Sequence, residues 1–215
     1  MVLENPDGEC TYKYTNNWFN STAKNIWESL FSSFKPKKIL EIGSYEGAST
    51  CYLIKKLALD TPLEIHCVDT WQGGIEHRDR GIDMAAVESR FIHNTALARS
   101  EVPYAVTLTV HKGYSYYSLS TLIANNQGHS FDLAYIDGSH QASDVLADAV
   151  LAFKLLKVGG IMIFDDYLWA EELSFGKDLL RCPKLAIDSF INCYFRKVKV
   201  ISAPLYQLYV RKIEE

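Results

Sequence analysis

The sequence predicts an α/β fold built on one doubly wound, mostly parallel sheet. Three observations support this prediction: short apolar strands alternate with helical patterns, four of the strands end in acidic residues, and the chain finishes with a hairpin pattern. The 215 residues, 48% hydrophobic and 22% charged, have the composition of a globular protein that can bury a core. Since no repeat, low-complexity stretch or linker interrupts the pattern, we expect one structural domain.

The predicted elements follow one another at the spacing of strand–helix–strand units. Apolar residues from Ile26 to Phe34 recur at helical spacing and indicate an amphipathic helix that ends at Lys35-Pro36. This helix belongs to an N-terminal helical segment, residues 1–36, which we expect to cover a site formed by residues 37–215. Strands are predicted at KKILEIG, EIHCVDTW, 107–110, FDLAYID and IMIFDD, with helices over 49–57, 119–123 and 145–153 between them.

The last third of the chain predicts the edge of the sheet. Gly159-Gly160 is expected to close the helix before the fifth strand, because glycine is favoured just beyond helix ends. A helix near residues 186–194 follows. The final runs KVKVIS and YQLYVRK, separated by Ala203-Pro204-Leu205, predict an antiparallel hairpin.

Charge and composition exclude several classes of partner. The net charge is −4, from 26 acidic and 22 basic side chains, and no block of Lys or Arg stands out. Since nucleic-acid binding needs a clustered positive surface, no nucleic-acid partner is expected. The start, MVLENPDGEC, lacks the features of a signal peptide, and no stretch is long and apolar enough to span a membrane. We therefore expect a soluble, cytoplasmic protein without a membrane partner.

The cysteines indicate reduced thiols. There are five, an odd number, and no CxxC pair occurs among positions 10, 51, 67, 182 and 193. This pattern fits neither a disulfide framework nor a structural zinc site.

Acidic residues mark the carboxyl ends of the predicted strands. In an open α/β sheet ligands bind beyond these ends. A single Asp after a strand is often only a turn residue or a helix cap. Here five acids share one predicted edge: Glu41, Asp69, Asp137, Asp165 and Asp166.

The loop after the first strand suggests a nucleoside ligand with an amino-acid tail. Gly43 and Gly47 follow GxxxG spacing, which argues against the GxGxxG loop of a dinucleotide dehydrogenase. Glu41 suits a cationic amine, and Asp69 stands where related folds accept ribose hydroxyls. Trp71 is positioned to cover a purine ring. Together these features predict S-adenosylmethionine as the cofactor.

At these motifs the chain resembles the class I SAM-dependent methyltransferases over Lys38 to Lys212. Within that class it is similar to the metal-dependent small-molecule O-methyltransferases, the catechol-type and the macrocin-type sugar enzymes. The motifs are LEIGSYEGAST, CVDTW, HKGYS, YIDGSH and GGIMIFDDY. The resemblance implies a Rossmann-like sheet of seven strands in the order 3-2-1-4-5-7-6, with helices on both faces and an antiparallel seventh strand.

The resemblance also implies a cofactor site. Glu41, Gly43 and Tyr45 would line the methionine end, with Ser49 near its carboxylate. Asp69 would hold the ribose. Further cofactor contacts, at the adenine and along the loops, are implied for Ser44, Trp71, Gly113, Tyr114, Ser115 and Asp137. Many class I enzymes have glycine at the position of Tyr45, but the catechol-type enzymes also lack it.

Three aspartates predict a cation site. Asp137 ends the fourth strand, and Asp165 and Asp166 end the fifth, so they converge if these strands are neighbours. Close carboxylates repel one another unless protonated or bridged by a cation, and oxygen ligands suit Mg²⁺, with Ca²⁺ or Mn²⁺ as alternatives. The other interpretation is that Asp165 and Asp166 cap a turn. The metal ligands of the resembled family fall at these three positions.

The resemblance assigns the base to His140, three residues beyond Asp137. Catechol-type enzymes carry a lysine there, and the sugar enzymes carry histidine. A metal-bound hydroxide and Asp137 are the other candidates for accepting the proton. The aromatic run Tyr167, Leu168 and Trp169 either walls the acceptor pocket or packs as an ordinary loop.

These features predict a metal-assisted transfer of a methyl group from S-adenosylmethionine to a hydroxyl of a small molecule. Three alternatives stay open: a metal-independent or N-directed methyltransferase, a SAM-binding module without turnover, and other chemistry on the same fold, as in cephalosporin-hydroxylase-like relatives. The aromatic N-terminal segment with Trp18 and Trp27 covers either its own sheet or that of a second copy, so a homodimer is left open.

Overall fold

The strands lie where apolar runs predict them. In the computed structural model, which describes residues 11–171 and 173–215, they are β1 (Lys38–Ile42), β2 (Leu63–Asp69), β3 (Val106–Lys112), β4 (Phe131–Ile136), β5 (Leu156–Phe164), β6 (Val198–Ile201) and β7 (Leu208–Lys212). Their order is β3-β2-β1-β4-β5-β7-β6. Strands β1 to β5 are parallel, and β7 is antiparallel to both β5 and β6. The predicted strand order and terminal hairpin are confirmed.

Helices cover both faces of the sheet, as expected for strands buried on both sides. They are α1 (Trp18–Thr22), α2 (Lys24–Ser33), α3 (Ala48–Leu57), α4 (Ile75–Asp79), α5 (Met84–Ser100), α6 (Ser115–Ala124), α7 (Ala142–Leu155) and α8 (Pro183–Tyr194). Residues of α2, α3 and α5 pack in one apolar core, and residues of α6, α7 and α8 pack in the other. Residues 1–10, the start of the predicted N-terminal segment, lie outside the described residues.

One predicted boundary is wrong. Helix α7 ends at Leu155 and β5 begins at once, so Gly159-Gly160 lies inside a strand and does not close the helix. The pairing of β4 with β5 shifts register between Phe131 and Leu133, where β5 has extra residues that β4 lacks. A Cβ on Gly160 would lie 2.9 Å from the Asp132 carbonyl oxygen. The glycine therefore serves a close approach of two strands.

Two further expectations concern membrane-spanning helices and the state of the cysteines. In the described part of the chain, no helix combines the length and apolarity needed to cross a membrane. Four cysteines fall within that part, Cys51, Cys67, Cys182 and Cys193, and all are free thiols.

Candidate functional site

A cavity of about 740 Å³ opens at the carboxyl ends of β1, β2, β4 and β5. This volume is within the range of small-molecule sites. The predicted site residues that line it are Gly43, Ser44, Tyr45, Ser49, Asp69, Gly113, Tyr114, Ser115, Asp137, His140, Asp165 and Asp166. The structure therefore brings together most of the residues predicted from strand ends and loops.

Glu41 has a different position from the one expected. It lies within β1, is fully buried and does not line the cavity. Its carboxylate accepts hydrogen bonds from Ser44 Oγ at 2.7 Å, Ser49 Oγ at 2.6 Å and the Thr50 hydroxyl. Burial raises the pKa of Glu41, and these donors oppose the shift. The residue thus holds the loop from beneath instead of facing a ligand amine.

Asp69, the last residue of β2, orders the same loop from the cavity side. Its Oδ2 accepts the backbone N–H groups of Ser44 and Tyr45, each at 2.9 Å, and its Oδ1 accepts that of Trp71 at 2.7 Å. A carboxylate offers about four acceptor positions, so acceptor capacity remains for a ligand hydroxyl.

Trp71 does not face the cavity. Its side chain is 5% exposed, its ring lies 5.0 Å from that of Phe91, and its indole N–H donates to the Tyr45 carbonyl at 3.0 Å. In this position it supports the loop and does not cover a purine. Aromatic residues that do line the cavity include Tyr114 and Tyr116, each about half exposed.

Backbone strain is concentrated at this edge of the sheet. Tyr45, Trp71 and Asp166 have φ of 47°, 48° and 54°, in the left-handed region that non-glycine residues rarely adopt. The positive φ at Tyr45 is a backbone conformation that glycine adopts at lower cost than tyrosine. At Gly43 there is no room for a side chain, because a Cβ there would lie 2.0 Å from the Asp137 carbonyl oxygen.

Three carboxylates converge at the ends of β4 and β5. One oxygen each from Asp137, Asp165 and Asp166 lies within 4.8 Å of the others. Burial, followed by the repulsion of the neighbouring carboxylates, raises the pKa of Asp137 and of Asp165. An oxygen-only donor set of this size and charge fits a hard divalent cation such as Mg²⁺. Turn capping alone leaves the repulsion between the three groups without a compensating charge.

Two buried residues that the sequence analysis missed contact these carboxylates. The Tyr135 hydroxyl lies 2.6 Å from Asp165 Oδ2 and 2.9 Å from Asp137 Oδ2, and Gln207 Nε2 donates to Asp165 Oδ1 at 3.0 Å. A signal for Tyr135 was available, because it precedes Asp137 by two residues in a strand and therefore shares its face. No local signal exists for Gln207, which is 42 residues from Asp165.

His140 lies beside the carboxylates. Its Nε2 is 2.9 Å from Asp166 Oδ2, and because a carboxylate oxygen accepts, the imidazole donates from Nε2. The ring stacks on Trp169 with centroids 3.8 Å apart. Trp169 lines the cavity, whereas the Tyr167 hydroxyl donates to Asp188 at 2.8 Å and Leu168 is exposed. Of the predicted aromatic wall, only Trp169 is at the cavity.

The buried carboxyl of Asp148 makes the stability of the protein depend on pH, which can be tested. It is 2% exposed on α7, and burial raises its pKa to about 7. An unfolded Asp releases its proton near pH 4, so between about pH 4 and pH 7 the folded state binds more protons. Stability is therefore lost as pH rises through this window, by about 1.4 kcal/mol per unit. Asp148→Asn is expected to stabilise the protein by up to about 4 kcal/mol at pH 8 and by less at pH 5.

Urea unfolding at pH 5, 6.5 and 8 measures this difference. Asp60→Asn, the same substitution at an exposed position, is the control and should show no such trend. A gain from Asp148→Asn that is equal at all three pH values would contradict the assigned cause.

Fold and site together define a Rossmann-like methyltransferase class, with seven strands in the observed order and a cavity over the ends of the parallel strands. A family model described as "Methyltransferase domain" matches residues 40–167, more than half of the chain. The chain belongs to this family.

The individual curated proteins that match the chain do so at low sequence identity. A caffeoyl-CoA O-methyltransferase from Populus kitakamiensis is 26% identical over 140 residues, covering 65% of this chain and 51% of the relative. The chain spans 58% or less of the length of the curated relatives it matches.

Solved structures share the fold. The O-methyltransferase TomG from Streptomyces achromogenes, in complex with SAM, aligns with a TM-score of 0.57 at 16% identity, over 88% of this chain and 77% of that chain. An O-methyltransferase from Bacillus cereus in complex with SAH aligns with a TM-score of 0.56 at 17% identity, over 94% and 84%.

Proposed function

We propose that the protein transfers a methyl group from S-adenosylmethionine to a hydroxyl of a small molecule, assisted by a divalent cation. The observation that carries this proposal is that the residues of the predicted cofactor site and those of the predicted cation site line one cavity. The cavity is lined by residues of the loop from Gly43 to Ser49 and by Asp69, and also by His140 with Asp137, Asp165 and Asp166. A methyl donor and a cation-bound acceptor have to meet in such a space.

The proposed cofactor would lie along the ends of β1, β2 and β3. Asp69 would accept the ribose hydroxyls, and Gly113, Tyr114 and Ser115 would border the adenine. Ser44, Tyr45 and Ser49 would surround the methionine end. Two solved O-methyltransferases of the same fold, one in complex with SAM and one with SAH, support this choice of cofactor.

Asp137, Asp165 and Asp166 would hold the cation, and Mg²⁺ is the one we favour. When bound, such a cation lowers the pKa of the acceptor hydroxyl and orients it. The caffeoyl-CoA O-methyltransferase among the relatives supports a hydroxylated small molecule as acceptor.

The chain's own residues would supply position and a proton acceptor. Gln207 donates to Asp165, and the single hydroxyl proton of Tyr135 lies within reach of Asp165 and Asp137, so both residues help to orient these carboxylates. His140 would take the acceptor's proton on its imidazole while its Nε2–H stays bonded to Asp166, which stabilises the imidazolium. Asp137 is the alternative acceptor of the proton. The sulfonium of the donor is already electrophilic, so alignment of the oxygen with the methyl carbon is the remaining requirement.

The N-terminal segment would complete the cavity. We propose that residues 1–36 cover the site formed by residues 37–215. The support comes from the described part of that segment, in which Tyr14, Asn16 and Trp18 line the cavity. The Trp18 ring lies 5.4 Å from that of Tyr45.

S-adenosylhomocysteine is expected to bind and to raise the melting temperature, because a ligand of the folded state stabilises it by mass action. NAD is not expected to bind. Asp69→Ala should weaken S-adenosylhomocysteine binding by about 1–3 kcal/mol, through loss of the acceptor for the ribose hydroxyls and of the order that Asp69 imposes on the loop. Isothermal calorimetry measures both effects.

Asp60→Ala removes an exposed carboxyl away from the cavity lining and should leave the affinity unchanged. The cofactor assignment is wrong if calorimetry detects NAD binding and no binding of S-adenosylhomocysteine.

A further inference from the structure

A chain of buried hydrogen bonds connects helix α2 to the carboxylates. Gln207 is 1% exposed. Its Oε1 accepts the indole N–H of Trp27 at 3.0 Å and the hydroxyl of Tyr209, and its Nε2 donates to Asp165 Oδ1 at 3.0 Å. Trp27 is itself fully buried.

The chemistry of the partners determines the orientation of the Gln207 amide. The indole N–H of Trp27 can only donate, so the amide oxygen has to face Trp27. The amide nitrogen is then directed at Asp165. With a flipped amide, two donors would meet at Trp27 and two acceptors at Asp165, and buried unpaired groups are costly.

Asp165 is held more completely than the other two carboxylates. Its Oδ1 accepts the Gln207 amide and the backbone N–H of Asp166, each at 3.0 Å, and its Oδ2 accepts the Tyr135 hydroxyl. These donors come from different parts of the chain, so they define the plane of the carboxylate. A metal-ligating side chain that is already held in one orientation loses less conformational entropy when a cation binds.

Trp27 supports two of these donors at once. Besides its bond to Gln207, its ring packs edge-on against the ring of Tyr135, with centroids 4.8 Å apart. A residue of the N-terminal segment, more than a hundred positions before the carboxylates, therefore lies against both groups that orient them.

We propose that Gln207, with its amide oriented by Trp27, is a positioning residue for the cation site. This inference rests on the proposed function, because it concerns the cation held by Asp137, Asp165 and Asp166. It extends that function by making the geometry of the site dependent on helix α2.

Binding of Mn²⁺ to the cofactor-free protein tests the inference without any turnover. Electron paramagnetic resonance of free Mn²⁺ gives the affinity. Gln207→Met keeps the side-chain length and removes both the donor and the acceptor. It should weaken Mn²⁺ binding by about 10- to 100-fold, the usual effect of losing a group that orients a metal ligand. S-adenosylhomocysteine affinity should stay within about twofold of wild type.

Trp27→Phe is the second variant and removes the donor that orients the amide. It should weaken Mn²⁺ binding in the same direction by a smaller factor. Trp71→Phe is the matched control, because Trp71 is also a buried indole that donates one hydrogen bond, but its acceptor is the Tyr45 carbonyl. Trp71→Phe should leave Mn²⁺ affinity unchanged.

The outcomes separate the two proposals. If wild type and Gln207→Met bind Mn²⁺ equally, or if Trp71→Phe weakens binding as much as Trp27→Phe, the positioning role is wrong and the proposed cation site stands. If wild-type protein does not bind Mn²⁺ at millimolar concentration, the cation site and the positioning role are both overturned. Should Gln207→Met not fold, the comparison of Trp27→Phe with Trp71→Phe decides.

Discussion

Chelation of divalent cations with EDTA is expected to lower methyl transfer to a vicinal dihydroxy acceptor by about 10³-fold or more, and added Mg²⁺ is expected to restore it. A cation at a reacting oxygen contributes several kcal/mol of stabilisation to the transition state, which corresponds to this factor. The oxygens of Asp137, Asp165 and Asp166 lie close enough together to bind one ion. Formation of S-adenosylhomocysteine over time measures the rate.

Asp165→Ala should reproduce the effect of the chelator because it removes one of the three ligands. Cofactor affinity, measured by calorimetry, should change little, since the Asp165 carboxylate is bonded to Tyr135, Gln207 and the backbone of Asp166 and not to the loop after β1. Asp60→Ala serves as the control for loss of an exposed carboxyl. Undiminished turnover in excess chelator would remove the cation from the mechanism and favour the metal-independent alternative.

His140→Ala is expected to lower kcat on an aliphatic hydroxyl acceptor by about 10²- to 10⁴-fold, with little change in cofactor affinity. This is the usual contribution of general-base catalysis. A catechol-like acceptor should lose less, because its hydroxyl is more acidic and depends less on a base. Steady-state rates on the two acceptors across pH 6 to 9 give the comparison.

Trp169→Phe separates proton transfer from stacking. In the structure the rings of His140 and Trp169 have centroids 3.8 Å apart, and the substitution keeps an aromatic ring at this place. It should therefore change kcat far less than His140→Ala does. If His140→Ala retains the wild-type kcat on the aliphatic acceptor over this pH range, His140 is a loop residue and Asp137 becomes the candidate base.

The sequence was sufficient for the sheet and for one edge of the site. The strands and the terminal hairpin were predicted correctly because apolar runs and helical periodicity are local patterns, whereas the strand order came from the resemblance to a known family. The convergence of Asp137 with Asp165 and Asp166 was predictable because adjacent parallel strands end at the same edge. The misplaced Gly159-Gly160 shows the limit of such patterns, since in the sequence a glycine at a register shift within a strand looks the same as a glycine after a helix.

By itself, then, the sequence determined which residues stand at the ends of the strands, since the period of a strand and the topology of a parallel sheet leave little choice. Only the tertiary structure decided where those side chains point. Trp71, whose backbone is left-handed, packs against Phe91 in the core, and Glu41 is covered by the loop that it bonds. Gln207 reaches Asp165 only through the pairing of β7 with β5, and contacts between such distant positions depend on register and packing that no local pattern encodes.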